Sequence, residues 1–280
     1  MVDQVMTKGT ELDGITPELW SAAFYPTLLE KFPFNDSVSR DWEGEIQSLG
    51  DIVNINDFPQ FDVAQDILED ERADADSVTA NKQQLTINKQ VVKDYILTKR
   101  ALRQSLDAQT KLRDLALHSI MKRMHQIIVA EVVPSASAPD HSIAYDSSTT
   151  LALADILEAK ELLDTQDVEE VGRVAILGAA QSNDLFNITG FTSRDFIPAG
   201  SPLATGSLSA PILGFAPKTT TEVGNTSYWF HPLFLTMAVQ QSPEVGVYDL
   251  GGEGKRATRV NMDVLFGVKQ LSNLRVVALS

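Results

Sequence analysis

The clearest alternation of apolar and polar positions runs from Leu85 to Leu97. Leu85, Ile87, Val91, Tyr95 and Leu97 share one parity, interrupted by Lys89 and Lys93; Thr86, Asn88, Gln90 and Asp94 take the other. A period of two predicts a strand with one buried face. An earlier extended stretch, Ile46 to Asn56, places the turn signal Gly50-Asp51 before Ile52, Val53 and Ile55. Residues 46–98 therefore read as a long hairpin. Its outer portion is acidic: Asp57, Asp62, Asp66, Glu69, Asp70, Glu71, Asp74 and Asp76 stand against one base, Arg72. A two-stranded ribbon is marginal in water by itself, so this one needs support from elsewhere.

The period then changes. Leu102, Leu106, Leu112, Leu115, Ile120, Met124, Ile127 and Ile128 recur at helical spacing and predict one long helix over 101–133, stopped by Pro134. At ~1.5 Å per residue it would span about 48 Å. Its start is basic, with Lys99, Arg100, Arg103, Lys111 and Arg113, and Lys122 and Arg123 follow. Residues 134–150 are rich in Ser, Ala and Pro and mark a boundary.

Beyond it, Leu151–Leu163 reads as an amphipathic helix, Val171–Leu177 as a buried strand and Gln181–Phe186 as a short helix. Phe191–Ser209 reads as a long loop; Ile212–Ala216, Val260–Val268 and Leu274–Leu279 read as strands. At the other end, residues 1–16 form a polar arm. Thr16-Pro17-Glu18-Leu19 has the chemistry of a helix start, for a short helix carrying Trp20, Ala23 and Phe24 and limited by Pro26 and Pro33. The mixture is α+β.

Composition narrows the function. In 280 residues, 43% hydrophobic content is enough for a packed core. The net charge of -15 argues against a protein that grips nucleic acid through its phosphates. An anionic wall can still enclose a polyanion without sticking to it, although solubility alone is the commonest reason for acidity. Without cysteine there are no disulfides and no thiolate chemistry. No apolar run approaches the ~20 residues of a membrane span, and the start of the chain does not read as a signal peptide, so the expectation is a protein made and used in cytoplasm with no membrane partner.

Catalytic patterns are weak. Gly251-Gly252-Glu253-Gly254-Lys255-Arg256 fails as a phosphate loop, because Asp249 stands where the first glycine is required and Arg256 where a Ser or Thr is; a glycine-rich turn between strands fits better. His118 and His125 share a helix face but lie about two turns, ~10 Å, apart, too far for one metal and better suited to a solvated or interface role. With 38 Asp and Glu, a hidden carboxylate pair of the glycosidase kind is conceivable, but solvated surface accounts for most such residues. No catalytic, cofactor-binding or metal-binding residue is assigned.

Taken in order, these segments resemble the major capsid proteins of tailed bacteriophages. Gly50-Asp51-Ile52-Val53-Asn54-Ile55 is similar to the first strand of that family's long hairpin, the E-loop. Leu85–Leu97 resembles its return strand, Ser105–Val133 its spine helix, and Arg173-Val174-Ala175-Ile176-Leu177 an axial-domain core strand. Gly206-Ser207-Leu208 through Ile212-Leu213-Gly214-Phe215 looks like the glycine-rich approach to a later strand. His231-Pro232-Leu233-Phe234 with Ala238-Val239-Gln240 resembles a late axial segment. Leu265–Lys269 followed by Arg275–Leu279 is similar to a terminal strand pair.

The resemblance implies the Johnson fold, shared with encapsulins. It divides the chain into an N-terminal arm (1–45), an E-loop hairpin (46–98), a peripheral domain with the spine helix (99–150), an axial domain (151–240) and C-terminal strands returning to the peripheral domain (241–280). It implies a homo-oligomer of hexameric and pentameric capsomers, a shell around DNA without sequence-specific binding, no cofactor and no catalysis. A virion location follows, after assembly in the host bacterial cytoplasm, with a separate scaffolding protein, a portal and room for a decoration protein. No lysine-to-asparagine cross-link is implied. Independently of the resemblance, the charge layout offers a subunit contact: Asp62, Asp66, Glu69, Asp70, Glu71 and Arg72 in the hairpin, against Lys99, Arg100, Arg103, Lys111 and Arg113 on a neighbour's helix. Solvated surface on both is the even alternative. Phe191, Arg194, Asp195 and Gly200 belong to a loop near the capsomer axis. The competing readings are an encapsulin-like compartment and, in a different class, a soluble α/β hydrolase.

Overall fold

The computed structural model describes residues 29–43, 52–58, 80–99, 106–146, 150–188, 211–253 and 256–280, with single positions at 64, 66, 72 and 75. In chain order the elements are β1 (Ile52–Asp57), β2 (Asn81–Thr86), β3 (Lys89–Thr98), α1 (Leu106–Glu131), β4 (Ser142–Ile143), α2 (Leu153–Thr165), β5 (Val174–Leu177), α3 (Ala179–Asn187), β6 (Ala216–Thr219), β7 (Ser227–Phe230), β8 (Leu235–Asp249), β9 (Ala257–Gln270) and β10 (Val276–Leu279). The strands form three sheets: β1-β2, β3-β9-β8 and β4-β10-β7-β5-β6. The short helix anticipated at Leu19–Phe24 lies outside the described residues.

β5 shows why its sequence is a continuous apolar run. Val174 and Ile176 face the core built by α1, while Ala175 and Leu177 face a second core with Ile156, Ala159 and Leu163 of α2 and Leu185 of α3. A strand covered on both faces needs no polar alternation. Val171, anticipated as the strand's first residue, is instead 86% exposed, because the chain turns at Gly172 with φ +87° before β5 begins. Ile212–Phe215 is likewise not strand but a tight turn, with positive φ at Leu213 and Gly214, and β6 starts at Ala216.

On α1, Ala116, Ile120, Met124 and Ile128 form a stripe at every fourth residue, continued by Val132 just past the helix end. That stripe joins Met262, Val264, Phe266 and Val268 of β9 to Val174, Ile176, Phe230 and Val276 of the five-stranded sheet in one core. The described part of the anticipated arm is built into this core as well. Phe34 is fully buried, stacked on Phe230 with centroids 5.4 Å apart, and Ser39 bridges to Thr236 at the start of β8.

Two expectations about strand pairing are corrected. Leu85–Leu97 is two strands: β2 pairs with β1, from Ile52↔Thr86 to Asp57↔Asn81, while β3 pairs with β9, from Lys89↔Phe266 to Thr98↔Ala257. The break at Ile87-Asn88 spans two residues, so the alternation continues through it unchanged. The last two strands are not a pair. β9 lies between β3 and β8, whereas β10 enters the five-stranded sheet between β4 and β7. β8 also runs uninterrupted across position 240, where an axial boundary was anticipated. The glycine-rich turn between strands is present: Leu250–Glu253 is a 3-10 turn joining β8 to β9.

Candidate assembly surface

Among the described residues, the β1–β2 hairpin is anchored at its base. Val53, Leu85, Ile87 and Ala238 bury together, with Trp42, Ile55 and Leu265 packed around them, and Gln83 Nε2 donates to the Leu271 carbonyl at 3.0 Å. Further out, Phe58 is 64% exposed. Asp66 and Arg72 are exposed, as a contact segment would need; Asp62, Glu69, Asp70 and Glu71 lie outside the described residues.

The basic cluster is divided. Lys99 donates from Nζ to Asp249 at 2.6 Å, and its backbone N–H donates to Arg256, so it closes the outer end of the three-stranded sheet within the chain. This ammonium, with the Gly251 N–H behind it, holds the Asp249 carboxyl below the usual carboxylate range. Lys122 is also engaged internally, 2.7 Å from Glu30 and 3.0 Å from Glu222. Lys111 and Arg113 are exposed, Arg113 with only a 3.8 Å contact to neighbouring Asp114. Arg100 and Arg103, and the loop residues Phe191, Arg194, Asp195 and Gly200, lie outside the described residues.

The three-stranded sheet carries a surface that the sequence reading passed over. Opposed residues in antiparallel register share a face. One face of this sheet therefore holds Gln90, Val92, Asp94 and Ile96 of β3, Arg259, Asn261, Asp263 and Leu265 of β9, and Glu244, Gly246 and Tyr248 of β8. Val92 is 48%, Ile96 58% and Tyr248 59% exposed. Asp94 accepts a charge-assisted bond from Arg259. Gln90, Val92, Glu244, Tyr248 and Asp263 help to line a groove of about 260 Å³ across this face.

On the opposite face Val245 and Val247 are exposed at the free edge of β8. That edge is irregular, with register shifts between Val239 and Glu244 around Pro243, which limits unspecific strand addition. The available signal was Val92 and Ile96 themselves, two apolar residues on the parity otherwise assigned to water. Mixed apolar and charged groups of this kind compose a protein–protein interface better than a small-molecule pocket.

Chemistry elsewhere is structural. His125, anticipated as solvated or at an interface, is fully buried against Phe32 and Phe34. The guanidinium of Arg173, buried, bonds Asp164 at 2.7 Å and the carbonyls of Glu169 and Val168. Among the described residues no group of three or more His, Asp or Glu side chains is placed to hold a metal, and no helix is long and apolar enough to cross a membrane.

A family model described as phage capsid protein matches residues 41–280. Solved structures with a similar chain include one of Mycobacterium phage Che8, 21% identical, covering 95% of this chain and 97% of that one at TM-score 0.73. The capsid of the cyanophage P-SCSP1u is 12% identical, with 97% and 94% covered and TM-score 0.75. The capsid asymmetric unit of cyanophage Pam1 is 15% identical, with 100% and 98% covered and TM-score 0.73. At these identities the structural likeness carries the fold. No curated protein sequence matches the chain.

Proposed function

The chain belongs to the phage capsid protein family and has its Johnson-type α+β fold, and from that premise we propose how this major capsid protein builds its shell. It assembles as hexamers and pentamers into an icosahedral container for double-stranded DNA, acting as a structural subunit and not as an enzyme. The family assignment does not favour the encapsulin-like compartment or the soluble hydrolase. The single observation that carries the reading is the pairing of a base-anchored hairpin with a sheet whose exposed face keeps Val92, Ile96 and Tyr248 in water. One chain leaves these surfaces uncovered; identical copies supply the cover.

In this arrangement the β1–β2 hairpin is the E-loop, α1 the spine helix of the peripheral domain, and β5 with its neighbours the core of the axial domain. The acidic stretch around Asp66 lies over exposed Lys111 and Arg113 of an adjacent subunit. Exposed ion pairs contribute only about 0–1 kcal/mol each, so they set register more than strength. Lys99 has a smaller part in this contact than its charge implies, because Asp249 already holds it. The segment containing Phe191, Arg194, Asp195 and Gly200 meets copies of itself around the capsomer axis, as ring symmetry requires.

A net charge of -15 suits a wall that encloses DNA without binding its sequence. Assembly in the host cytoplasm uses a scaffolding protein and a portal, with a decoration protein as an optional later addition. Sedimentation of the full chain expressed with its scaffolding protein tests the reading. Material moving as closed particles supports it, and a chain that stays at subunit mass in the presence of scaffold refutes it.

A further inference from the structure

Residues 29–36 lie over α1, with Phe34 packed into the core against Phe230 and Tyr228, and they cover one side chain whose burial packing does not explain. The side chain beneath them is His125, fully buried, and among the described residues neither ring nitrogen has a hydrogen-bond partner. Buried polar groups are almost always paired, because an unpaired one loses its water without replacement. Here the rings of Phe32 and Phe34 cover the imidazole at centroid distances of 5.6 and 5.4 Å. Both come from the same short segment.

Few polar bonds hold that segment on the helix. Lys122 Nζ donates to Glu30 at 2.7 Å, His118 Nε2 lies 3.1 Å from the Glu30 carbonyl oxygen, and Asn35 Nδ2 donates to the Met121 carbonyl at 3.3 Å. On its other side Thr220 Oγ1 donates to the Lys31 carbonyl and Lys218 Nζ to Ser37 Oγ. Downstream the attachment changes character. Ser39 is tied by backbone bonds to Pro232, Leu235 and Met237. Ser37 and Val38 are thus the natural hinge. The segment also borders an open cavity of about 860 Å³ lined by Glu30, Phe32, His118 and Met121, which brings water to its edge.

We propose that residues 29–36 are an acid-released clasp, held shut over neutral His125 and opened from the helix when that imidazole takes up a proton. A proton on His125 would place an unpaired cation among aromatic rings, and lifting the clasp is the shortest route to hydrating it. Burial holds the His125 pKa down to about 4, opposed only in part by the nearby Glu222 carboxylate. The sign follows from linkage: the neutral imidazole favours the closed form fully above about pH 6.5, and that preference is lost as pH falls toward about 4.

The surrounding charges divide between two directions. Glu30 and Glu222 have carboxyls held below their ordinary range chiefly by hydrogen bonds from Lys122, so protonating them also weakens the closed form. A proton on His118 works the other way, toward Glu30, until Glu30 is itself neutralised. Lys31, Asp36, Arg40 and Lys218 are the other charged groups on or against this segment, and the Tyr228 phenol, pushed up by burial, stays neutral. The device is a property of one subunit and stands or falls separately from the assembly reading.

The chain has no cysteine, so Asn35→Cys supplies a single thiol at a buried clasp position, 4% exposed in the parent. Its reaction with 4,4′-dithiodipyridine, which labels thiols in acid, is measured on the full chain relative to a free small thiol at each pH. Between about pH 7.5 and about pH 4.5 the relative rate should rise on the order of tenfold to a hundredfold while helix content is unchanged. Adding His125→Phe, or His125→Gln if the phenylalanine variant folds poorly, should remove most of the rise. The proposal is overturned by a thiol that stays protected until the whole fold melts. It is overturned equally if both non-titrating variants keep the parent's pH dependence.

Discussion

Gly267 faces the main chain of Thr86 so closely that a Cβ on Gly267 would stand 2.5 Å from the Thr86 carbonyl oxygen. At this point β9 passes beneath the junction where β2 leaves the hairpin and β3 joins the sheet. The contact is backbone against backbone, so no side chain can swing aside. Gly267→Ala should therefore cost about 1–3 kcal/mol through overpacking, and the loss should concentrate at the hairpin base. Chemical denaturation measures the total. Amide exchange over 81–90 should quicken more than that of β5 or β10.

A second site tests the Arg173–Asp164 ion pair, buried on the arginine side. Arg173 is 1% exposed and holds Asp164 together with two carbonyl oxygens. Arg173→Ala leaves the Glu169 and Val168 carbonyls without this donor, while Asp164, 35% exposed, keeps Lys160; the change should destabilise the fold by about 1–3 kcal/mol, the range for leaving buried polar groups unsatisfied. Burial raises the Asp164 pKa, but the bonds from Lys160 and Arg173 outweigh it and bring the group below its ordinary value. The stability this contributes is present above the ordinary carboxylate pKa and is lost as pH falls through the lowered one. The variant should lose part of the parent's decline in stability below about pH 4, read from denaturation curves across that range.

Much of this architecture was legible in the sequence. The helical spacing through Ile120, Met124 and Ile128 announced α1, although Leu115 of the same pattern is exposed, and the apolar run ending at Leu177 announced a buried strand. What stayed hidden depends on partners distant in sequence. The split of Leu85–Leu97 is invisible locally, because two unpaired residues preserve the parity of a period-two pattern. β10 follows β9 after only a short turn, yet a tertiary choice sends it to another sheet. Lys99 looked free for a neighbour because its partner Asp249 lies 150 positions along the chain. Val92 and Ile96 were legible as residues; their exposure required the sheet to be seen.

Reversing the hairpin's charge tests the proposed contact between subunits. Asp66, Glu69, Asp70 and Glu71 changed together to Lys should block or misdirect assembly while the subunit remains folded by circular dichroism. Electron microscopy of the variant beside the parent reads the outcome. Particles of normal form and yield would show that this charge does not set the register.

The segment proposed to lie at the capsomer axis makes a separate prediction. Deleting Gly200 to Thr205 should reduce capsomer and particle yield while the subunit remains folded by circular dichroism. Unaffected shells would move the axial contact to another part of the chain.

Cryo-electron microscopy of particles formed by the full chain, with the proposed scaffolding protein supplied, tests the central claim most directly. The account predicts closed shells in which Val92, Ile96, Val247 and Tyr248 are covered by neighbouring copies and the hairpin lies across an adjacent subunit. A dispersed monomer, or closed shells that leave those side chains facing solvent, would contradict it.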